Sequence, residues 1–302
     1  MRVVPHCISK SEFDSTATDL IDTGRDWMLL DPEKTVQLTQ QALTIARAAG
    51  RRILEVYDGD YTVAYKSDNT PVTTADLEAN NIIVKALEAL PDCFPVISEE
   101  SEAVPYAKRH NWSQFWLVDP LDGTREFVRR NGEFSVNIAL ISNGKPVLGV
   151  VTAPVLDVSY YASHTQGAWK QQGVDNPQEI HVRPAPKSGE LTVARSRCPI
   201  VGPRLKAFLD KLGGHNEVPM GSSLKSCLVA EGVADVYVRL GPTSEWDTAA
   251  AQCIVEEAGG HITDTDLCDL KYNTRESLLN PHFMVFGDET HNWREYLSAD
   301  SA

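Results

Sequence analysis

The sequence predicts a mixed α/β fold in which helices come first, a mostly antiparallel sheet follows, and intermixed helices and strands complete the chain. Apolar residues recur at helical spacing between residues 31 and 90. From Phe134 to Leu140 they alternate with other residues, and the favoured hairpin pair Asn143-Gly144 follows. Helical and strand patterns then intermix from residue 191 onwards. The 302 residues are enough to bury one large core or two modest ones.

Two helices are expected in the first ninety residues. Asp31-Pro32-Glu33 predicts the start of the first, because a capping residue, a proline and an early acid are typical of a helix N-terminus. The second is expected from about Thr74 to Leu90. The residues expected on the two buried faces are Val36, Leu43, Ala46, Ala49 and Ile53, then Ala79, Ile83, Leu87 and Leu90.

Strands are predicted from the centre of the chain onwards. Phe115 to Val118 is an apolar run with no internal turn signal, which predicts a short buried strand. The meander is expected to continue through 134–140, 147–152, 157–162 and 167–170. After a polar stretch with two prolines, the expected elements are strand 191–195, helices 203–212 and 222–231, strand 234–239, helix 245–258 and strands near 261–263 and 283–286.

These patterns divide the chain into three parts. Residues 1–30 are acidic and weakly periodic, so we expect an extension that is partly disordered. Residues 31–186 form the expected N-terminal α+β subdomain, and residues 187–302 the C-terminal α/β subdomain, with the joint in the proline-containing stretch.

The composition excludes some functions. A net charge of −14 argues against sequence-independent binding to a nucleic-acid backbone. The six cysteines form no C-x-x-C pair, which fits a reducing compartment, and we therefore expect a cytoplasmic protein. No apolar run is long enough to span a bilayer, and the N-terminus lacks the apolar region of a signal peptide.

The segment from Trp116 to Thr124 is the most informative part of the sequence. Asp119 and Asp122 lie three residues apart after the buried strand, so both carboxylates can reach one point. Pro120 stiffens the turn, and Gly123 lets the backbone come close to a ligand. Carboxylate oxygens are ligands that Mg²⁺ prefers, and substrate phosphate usually completes its shell. The segment therefore indicates a magnesium and phosphate site.

Other segments carry acids that have ordinary structural explanations as well. Asp122-Gly123 also fits a simple turn. Glu99-Glu100 follows a short apolar strand, and such a pair is commonly a solvated acidic loop. Asp247 and Asp76 each stand in the first turn of a predicted helix, where an acid caps free N–H groups. From the residues alone, each acid remains either a ligand or a local structural group.

Together, however, these acids match a family. The ordered set Asp76, Glu99-Glu100, Asp119 to Thr124 and Trp246-Asp247 resembles the inositol monophosphatase superfamily of Mg²⁺-dependent, lithium-sensitive phosphatases. The sequence from about Thr35 to Asp288 is most similar to the 3'(2'),5'-bisphosphate nucleotidases of the bacterial CysQ type. The resemblance implies a layered αβαβα sandwich, the sugar-phosphatase or inositol monophosphatase fold.

The resemblance also implies a site. It implies two Mg²⁺ ions, with a third, weaker ion near Glu99 and Asp76, in the N-terminal subdomain. The implied metal ligands are Glu99, Asp119, the main-chain carbonyl of Leu121, Asp122 and Asp247, with Asp119 shared by two ions. The implied catalytic residues are Asp76, Thr124 and Glu99, with the hydrogen-bonded pair Asp76–Thr124 orienting the attacking water. The N–H groups of Gly123 and Thr124 are expected to bind phosphate.

Substrate contacts are expected mainly in the C-terminal subdomain. The guanidinium of Arg239 suits a second phosphate, and Lys225 adds positive charge. Ser222 and Ser223 could reach a ribose or phosphate, or could cap the helix that follows them. Surface solvation is the alternative role for both cations.

Two positions depart from the CysQ-type pattern. Relatives tend to have a histidine in a Ser-Arg-Ser-His run, where this chain reads Ala194-Arg195-Ser196-Arg197-Cys198. A lysine often follows Tyr-Asn near the C-terminus, where this chain has Thr274. Both positions could touch the nucleotide.

The implied activity is hydrolysis of the 3'-phosphate of adenosine 3',5'-bisphosphate to AMP and phosphate, with its sulfated form as a further substrate. An inositol or sugar monophosphatase and a catalytically silent phosphate- or metal-binding regulator remain alternatives. The expected partner is a small phosphorylated nucleotide, not a nucleic-acid polymer, and the protein is expected to be a monomer or a homodimer.

Overall fold

The computed structural model describes residues 30–59, 61–65, 71–187, 189–197 and 202–297. The predicted N-terminal extension, apart from Leu30, lies outside these residues, and so does Cys198.

Helices occur along the described chain, interspersed with the strands. They are α1 (Pro32–Asp58), α2 (Thr74–Glu88), α3 (Tyr106–Arg109), α4 (Thr124–Val128), α5 (Pro203–Leu212), α6 (Leu224–Ala230), α7 (Glu245–Glu257) and a 3₁₀ turn (Trp293–Glu295). The first begins at Pro32, as the sequence predicts, although Asp31 makes no side-chain cap. The prediction that Val36 lies on the buried face of α1 is wrong. Val36 is 37% exposed, because the first turn of α1 buries Thr35 and Leu38 instead.

The strands form a two-stranded ribbon and two larger sheets. They are β1 (Val63–Tyr65), β2 (Pro71–Thr73), β3 (Val96–Ser98), β4 (Gln114–Asp122), β5 (Ser135–Ser142), β6 (Lys145–Ala153), β7 (Val158–Ser163), β8 (Ala168–Gln172), β9 (Gln178–Ile180), β10 (Leu191–Arg195), β11 (His215–Pro219), β12 (Val236–Arg239), β13 (His261–Asp264) and β14 (Phe283–Phe286). The seven-stranded sheet has the order β3-β4-β5-β6-β7-β8-β9, and the five-stranded sheet has the order β11-β10-β12-β14-β13.

The seven-stranded sheet is antiparallel apart from its first pair. β3 and β4 run parallel, so their carboxyl ends meet at one edge. The turn between β5 and β6 is the predicted Asn143-Gly144, with φ of 51° and 78°, and two positive φ values are what a two-residue type I′ hairpin requires. The sequence missed β11, an edge strand whose largely exposed residues show no alternation of apolar side chains.

Three apolar clusters show how the layers stack. One packs α1 and α2 on the outer face of the seven-stranded sheet, for example Leu38, Ile83 and Val136. A second fills the space between the two sheets, where α6 and α7 lie. The third packs α5 and the 3₁₀ turn on the far face of the five-stranded sheet. This order of layers is the predicted αβαβα sandwich, and it buries both faces of each sheet.

The middle layer places α7 unusually close to the large sheet. A Cβ at Gly149 of β6 would lie 2.1 Å from the main-chain oxygen of Ala250, so only glycine fits there. Alanines 249 to 251 complete the close approach, and all three are buried. The N-terminal turn of α7 is thereby fixed against the sheet edge that carries the acidic residues.

Within the described residues, no helix is long and apolar enough to cross a membrane. Cys93, Cys227 and Cys253 are free thiols, whereas Cys268 is disulfide-bonded. The expectation that the scattered cysteines stay reduced is therefore wrong for Cys268.

Candidate metal centre and substrate cavity

Strand β4 carries the first two candidate ligands. It is longer than predicted, because pairing with β5 resumes after an irregularity: Asp119 pairs with Asn137, and Asp122 pairs with Ser135. Gly123 then turns the chain with a φ of 94°, and α4 begins at Thr124 as the sequence suggested. The two aspartates thus lie on either side of a bulge, a feature that re-aims side chains next to functional sites.

Glu99, Asp119 and Asp247 meet at the edge of the seven-stranded sheet. Among the residues that the structure describes, these three each bring one carboxylate oxygen to within 4.8 Å of the others. Glu99 follows β3 and donates its N–H to the carbonyl of Val118 at 3.2 Å, which places it beside Asp119. Asp247 arrives from the first turn of α7. Three predicted ligands from distant segments are therefore brought together.

The acidic cluster is electrostatically unfavourable by itself. Asp119 is 1% exposed, and burial together with the charge of Glu99 raises its pKa well above the ordinary value. Burial and the charge of Asp122 do the same to Asp247. Buried like charges need a counter-ion, and carboxylate oxygens suit a hard divalent cation such as Mg²⁺. The donor set therefore fits the metal that the sequence implied.

Asp122 lies next to this cluster and is held by a different group. Its Oδ2 accepts hydrogen bonds from the N–H and the hydroxyl of Ser223, at 2.5 and 2.6 Å. Asn137 donates to the Ser223 hydroxyl at 2.9 Å, and Ser135 donates to Asn137 at 3.0 Å. The prediction that Ser223 caps α6 is wrong: it stands at the N-cap position without capping, because its hydroxyl is directed to Asp122.

Asp247 serves its helix and the cluster at once. Its Oδ2 accepts the N–H of Ser244 at 2.9 Å, which is the helix-capping role expected from sequence. A carboxylate has a second oxygen and further lone pairs, so the cap leaves ligand capacity. The structural and the metal-binding explanations of Asp247 are compatible.

Asp76 divides its two oxygens in the same way. Oδ2 accepts the N–H and the hydroxyl of Thr73, at 2.8 and 2.6 Å, and so caps α2. Oδ1 accepts the hydroxyl of Thr124 at 3.0 Å. Burial raises the pKa of Asp76, while the hydrogen bonds from Thr73 and Thr124 oppose that rise. The predicted contact between Asp76 and Thr124 therefore coexists with the cap.

Asn80 supports the acidic loop, and sequence reasoning missed it. It lies one turn after Asp76 on α2 and accepts the hydroxyl of Ser98 at 2.7 Å. Its amide donates towards Ser101 at 3.4 Å. The only sequence feature that indicates this role is that Asn80 is a polar residue on the otherwise apolar buried face of α2.

A cavity of about 660 Å³ opens beside the cluster and is lined by residues of α4, α5, α6, β10 and β12. Asp122 and Asp247 form part of its acidic end, and the predicted contacts Gly123, Ser222, Ser223, Lys225 and Arg239 line it. Thr124 does not line it. Four further arginines do, and no sequence pattern marked them: Arg125, Arg129, Arg195 and Arg204.

Lys225 is a buried cation, not the solvated surface residue that was its alternative. It is 6% exposed, and its Nζ donates to the carbonyl of Ser222 at 2.5 Å. The ammonium also lies 5.2 Å from the ring centre of Tyr237. Burial lowers the pKa of Lys225 to about 8.

Arg239 lies at the end of β12 and is partly buried. Its Nη2 donates to the carbonyl of Pro242 at 3.2 Å, while its buried Nε has no hydrogen-bond partner in the described part of the chain. Its charge acts to lower the pKa of Asp247, so it faces the acidic end of the cavity. An unsatisfied buried N–H on a cation is suited to an anionic ligand.

Of the two departures, the one at Cys198 lies outside the described residues, whereas its neighbour Arg197 and the second departure, Thr274, are described. Arg197 makes a bidentate ion pair with Glu133, with N–O distances of 2.6 and 2.8 Å, and Glu133 lies just before β5. Thr274 accepts a hydrogen bond from Tyr106 through its carbonyl at 3.1 Å. Neither Arg197 nor Thr274 lines the cavity.

Comparison with known proteins identifies the family. The family model of the inositol monophosphatase family matches residues 34–296. The chain belongs to the inositol monophosphatase family. The match includes every predicted metal ligand and the whole αβαβα core.

Similar proteins include 3'(2'),5'-bisphosphate nucleotidases named CysQ. That of Salmonella typhimurium is 48% identical over 251 residues, which cover 82% of this chain and 99% of the relative. That of Haemophilus influenzae is 41% identical and covers 85% and 95%. Among solved structures, CysQ of Bacteroides thetaiotaomicron is 37% identical with a TM-score of 0.73, covering 84% of this chain and 98% of that one.

Proposed function

We propose that the chain is a Mg²⁺-dependent phosphatase that removes the 3'-phosphate of adenosine 3',5'-bisphosphate, and of its sulfated form, to leave the 5'-nucleotide and phosphate. The observation that carries the proposal is the cluster of buried Asp119 with the partly buried Glu99 and Asp247, beside a cation-lined cavity. Similarity to CysQ-type nucleotidases supports the choice of substrate.

The proposed metal ligands are those that the family resemblance implies, and the clustering of Glu99, Asp119 and Asp247 supports them. Glu99, Asp119 and the carbonyl of Leu121 would hold one ion, and Asp119, Asp122 and Asp247 a second. Such ions, when bound, lower the pKa of water and neutralise charge on the phosphoryl group. A third, weaker ion near Glu99 and Asp76 remains part of the proposal.

Asp76 and Thr124 orient the attacking water. The Thr124 hydroxyl donates a hydrogen bond to Asp76, so the lone pairs of its oxygen are left to accept a hydrogen bond from that water. Asp76 is fixed in turn by its bonds to Thr73. Asp76, as the general base, is thereby held in a single orientation, which is what general acid–base catalysis requires.

Lys225 and Arg239 recognise the second phosphate. Both line the cavity and both direct N–H groups only to main-chain carbonyls, so they can turn to an anion. The lining also includes the apolar residues Val193, Leu205 and Phe283, whose side chains suit a flat base better than a ring of hydroxyl groups. These apolar side chains favour a nucleotide over an inositol phosphate.

Phosphate release from four substrates tests the proposal: adenosine 3',5'-bisphosphate, its sulfated form, AMP and inositol 1-phosphate. The first two should be hydrolysed fastest, and EDTA should abolish release. Lithium should inhibit at sub-millimolar to millimolar concentration. Faster release from inositol 1-phosphate would replace the nucleotide by an inositol phosphate, and no release from any substrate would favour the regulator.

The remaining proposals concern organisation and location. We place the joint between subdomains at residues 186–187, between β9 and β10. We propose a monomer or a homodimer, which light scattering distinguishes, and a cytoplasmic location, which cell fractionation tests. The disulfide of Cys268 removes part of the sequence argument for that location.

A further inference from the structure

Arg109 is one of the largest fully buried side chains of the protein, and it lies outside the cavity. It is 2% exposed and belongs to α3, which follows the loop that starts at Glu99. Its Nε donates to the carbonyl of Val104 at 3.2 Å, within the same segment. The remaining N–H groups cross to another part of the chain. Burying a guanidinium is costly unless its donors are satisfied, so this one has a specific structural task.

The residues that Arg109 contacts belong to the loop at 273–280. Nη1 donates to the side-chain oxygen of Asn273 at 2.5 Å and to the carbonyl of Arg275 at 3.2 Å, and Nη2 donates to the carbonyl of Glu276. The Asn273 amide donates back to the carbonyl of Arg109 at 2.7 Å. The two residues are therefore locked together by reciprocal bonds.

The same loop holds the first turn of α7. The N–H of Asn273 donates to Glu245 Oε2 at 2.8 Å, and Glu245 donates its own N–H to the carbonyl of Leu278 at 2.8 Å. Asn280 donates to the carbonyl of Ser244 at 2.6 Å. Glu245 is completely buried and lies two residues before Asp247.

A continuous path thus joins two of the clustered carboxylates from behind. It runs from the segment that begins at Glu99, through Arg109 and Asn273, to the turn that carries Asp247. Glu99 and Asp247 come from different layers, and in the cluster their like charges repel each other. The bonds of Arg109 and Asn273 are therefore placed to add to the contacts that hold the supports of these two carboxylates.

We propose that Arg109 and Asn273 are positioning residues that set the separation of Glu99 and Asp247, and thereby the affinity of the site for divalent cations. This inference rests on the proposed function, because it takes the cluster to be a metal site. Sites of this kind need ligands held to within about 0.5 Å, and loss of a group behind the ligands typically costs about 10- to 100-fold in metal affinity or activity.

Two variants isolate the connection. Arg109→Lys keeps the charge and loses the fork of donors. Asn273→Gly keeps the positive φ of 57° and the N–H that binds Glu245, and removes only the bonds to Arg109. Arg183→Lys is the control, since Arg183 also loses a fork of donors, which binds buried Asp235 at 2.8 and 2.9 Å on the side of the second sheet.

Electron paramagnetic resonance measures the binding of Mn²⁺ to the full chain. The Mg²⁺ concentration that gives half-maximal activity and the midpoint temperature of thermal unfolding in EDTA are measured as well. Both Arg109→Lys and Asn273→Gly should weaken Mn²⁺ binding by about 10- to 100-fold, and saturating Mg²⁺ should restore most of kcat with KM unchanged. The control should lower the midpoint and leave Mn²⁺ binding as in the wild type.

The outcomes separate the two proposals. If both variants bind Mn²⁺ with the affinity of the wild type, Arg109 and Asn273 are not positioning residues, even if the variants unfold at a lower temperature. If Arg109→Lys does not fold, the result for Asn273→Gly decides. If the wild type itself binds no Mn²⁺, the proposed metal-dependent function fails, and the inference fails with it.

Discussion

The two ends of the cavity hold their charges in opposite ways. At the acidic end, Asp122 has an oxygen engaged by the donors of Ser223, and Asp247 caps its own helix. At the basic end, Lys225 and Arg239 donate to single main-chain carbonyls and belong to no ion pair in the described part of the chain. The acids are held by several donors, whereas the two cations have only main-chain hydrogen-bond acceptors in the described part of the chain.

Cations elsewhere in the protein show that this difference is specific to the cavity. Arg183 pairs with Asp235, and Arg197 pairs with Glu133, both through two donors. In the described part of the chain, neither Lys225 nor Arg239 has an acid as an ion-pair partner, and burial together with neighbouring acids raises the pKa values of Asp119 and Asp247. A metal ion at one end and an anionic substrate at the other would complete both, and the metal requires the more rigid partners because its coordination tolerates less displacement.

Removal of Asp119 should have the largest effect, because it is the carboxylate proposed to serve both ions. Asp119→Ala should reduce kcat by about a thousandfold or more, since a lost ligand removes several kcal/mol of charge stabilisation. Phosphate release at saturating Mg²⁺ measures the loss. The control is Asp92→Ala, because Asp92 is an acid that pairs with Lys34 and is not a proposed metal ligand. Near-normal turnover of Asp119→Ala would show that the acidic end is not the metal site.

Asp76 and Thr124 should come next and should act as one unit. Asp76→Asn should slow kcat by about a hundredfold, as expected for a lost acid–base partner, and Thr124→Ala should behave alike. The double variant should be little worse than either single one, because residues that act together are non-additive. A kinetic double-mutant cycle gives the coupling. Multiplied losses would mean that Asp76 only caps α2.

Much of the acidic end could be predicted from the sequence, because its acids lie in short motifs. Asp119 and Asp122 flank one turn, and Asp247 opens a helix that local pattern also identified. What the sequence could not supply was the register that places Glu99 beside Asp119, since that depends on the parallel pairing of β3 and β4. The fold layers were predictable for the same reason: alternation and helical spacing are local signals.

The basic end was harder to predict because it has no motif. Arg125, Arg129 and Arg204 come from helices, where an arginine is ordinarily a solvated surface residue. The bond from Ser223 to Asp122 spans 101 residues, and no local pattern could distinguish it from a helix cap. Such contacts depend on how the two sheets stack, and the spacing of residues along the sequence does not predict that stacking.

Arg239 offers a sharper test of the basic end. Arg239→Ala should raise KM for adenosine 3',5'-bisphosphate by about 10- to 100-fold, because a charge-assisted bond to phosphate contributes about 1.5–3 kcal/mol. KM for a monophosphate should change little. Steady-state kinetics on both substrates measures the ratio.

The control for this variant is Arg52→Ala, whose guanidinium pairs with Glu55 and Glu78 on the helical surface. It should leave both KM values unchanged. Equal effects of Arg239→Ala on the two substrates would remove the second-phosphate role and leave only the family-level assignment.

Lys225 should give the smallest effect, visible in the pH dependence of kcat/KM. Its pKa of about 8 means that the ammonium is charged below pH 8 and neutral above it. The charged fraction falls from about nine-tenths at pH 7 to about one-tenth at pH 9, so kcat/KM for the bisphosphate should fall by up to about tenfold between these values.

The monophosphate separates this effect from general titration of the site. If Lys225 contacts only the second phosphate, the wild-type kcat/KM for a monophosphate should stay nearly level from pH 7 to pH 9. Lys225→Met should lower the bisphosphate value and flatten its profile, because a neutral side chain has no proton to lose. A descending limb that persists in Lys225→Met belongs to another group, and the cavity would then discriminate substrates through Arg239 alone.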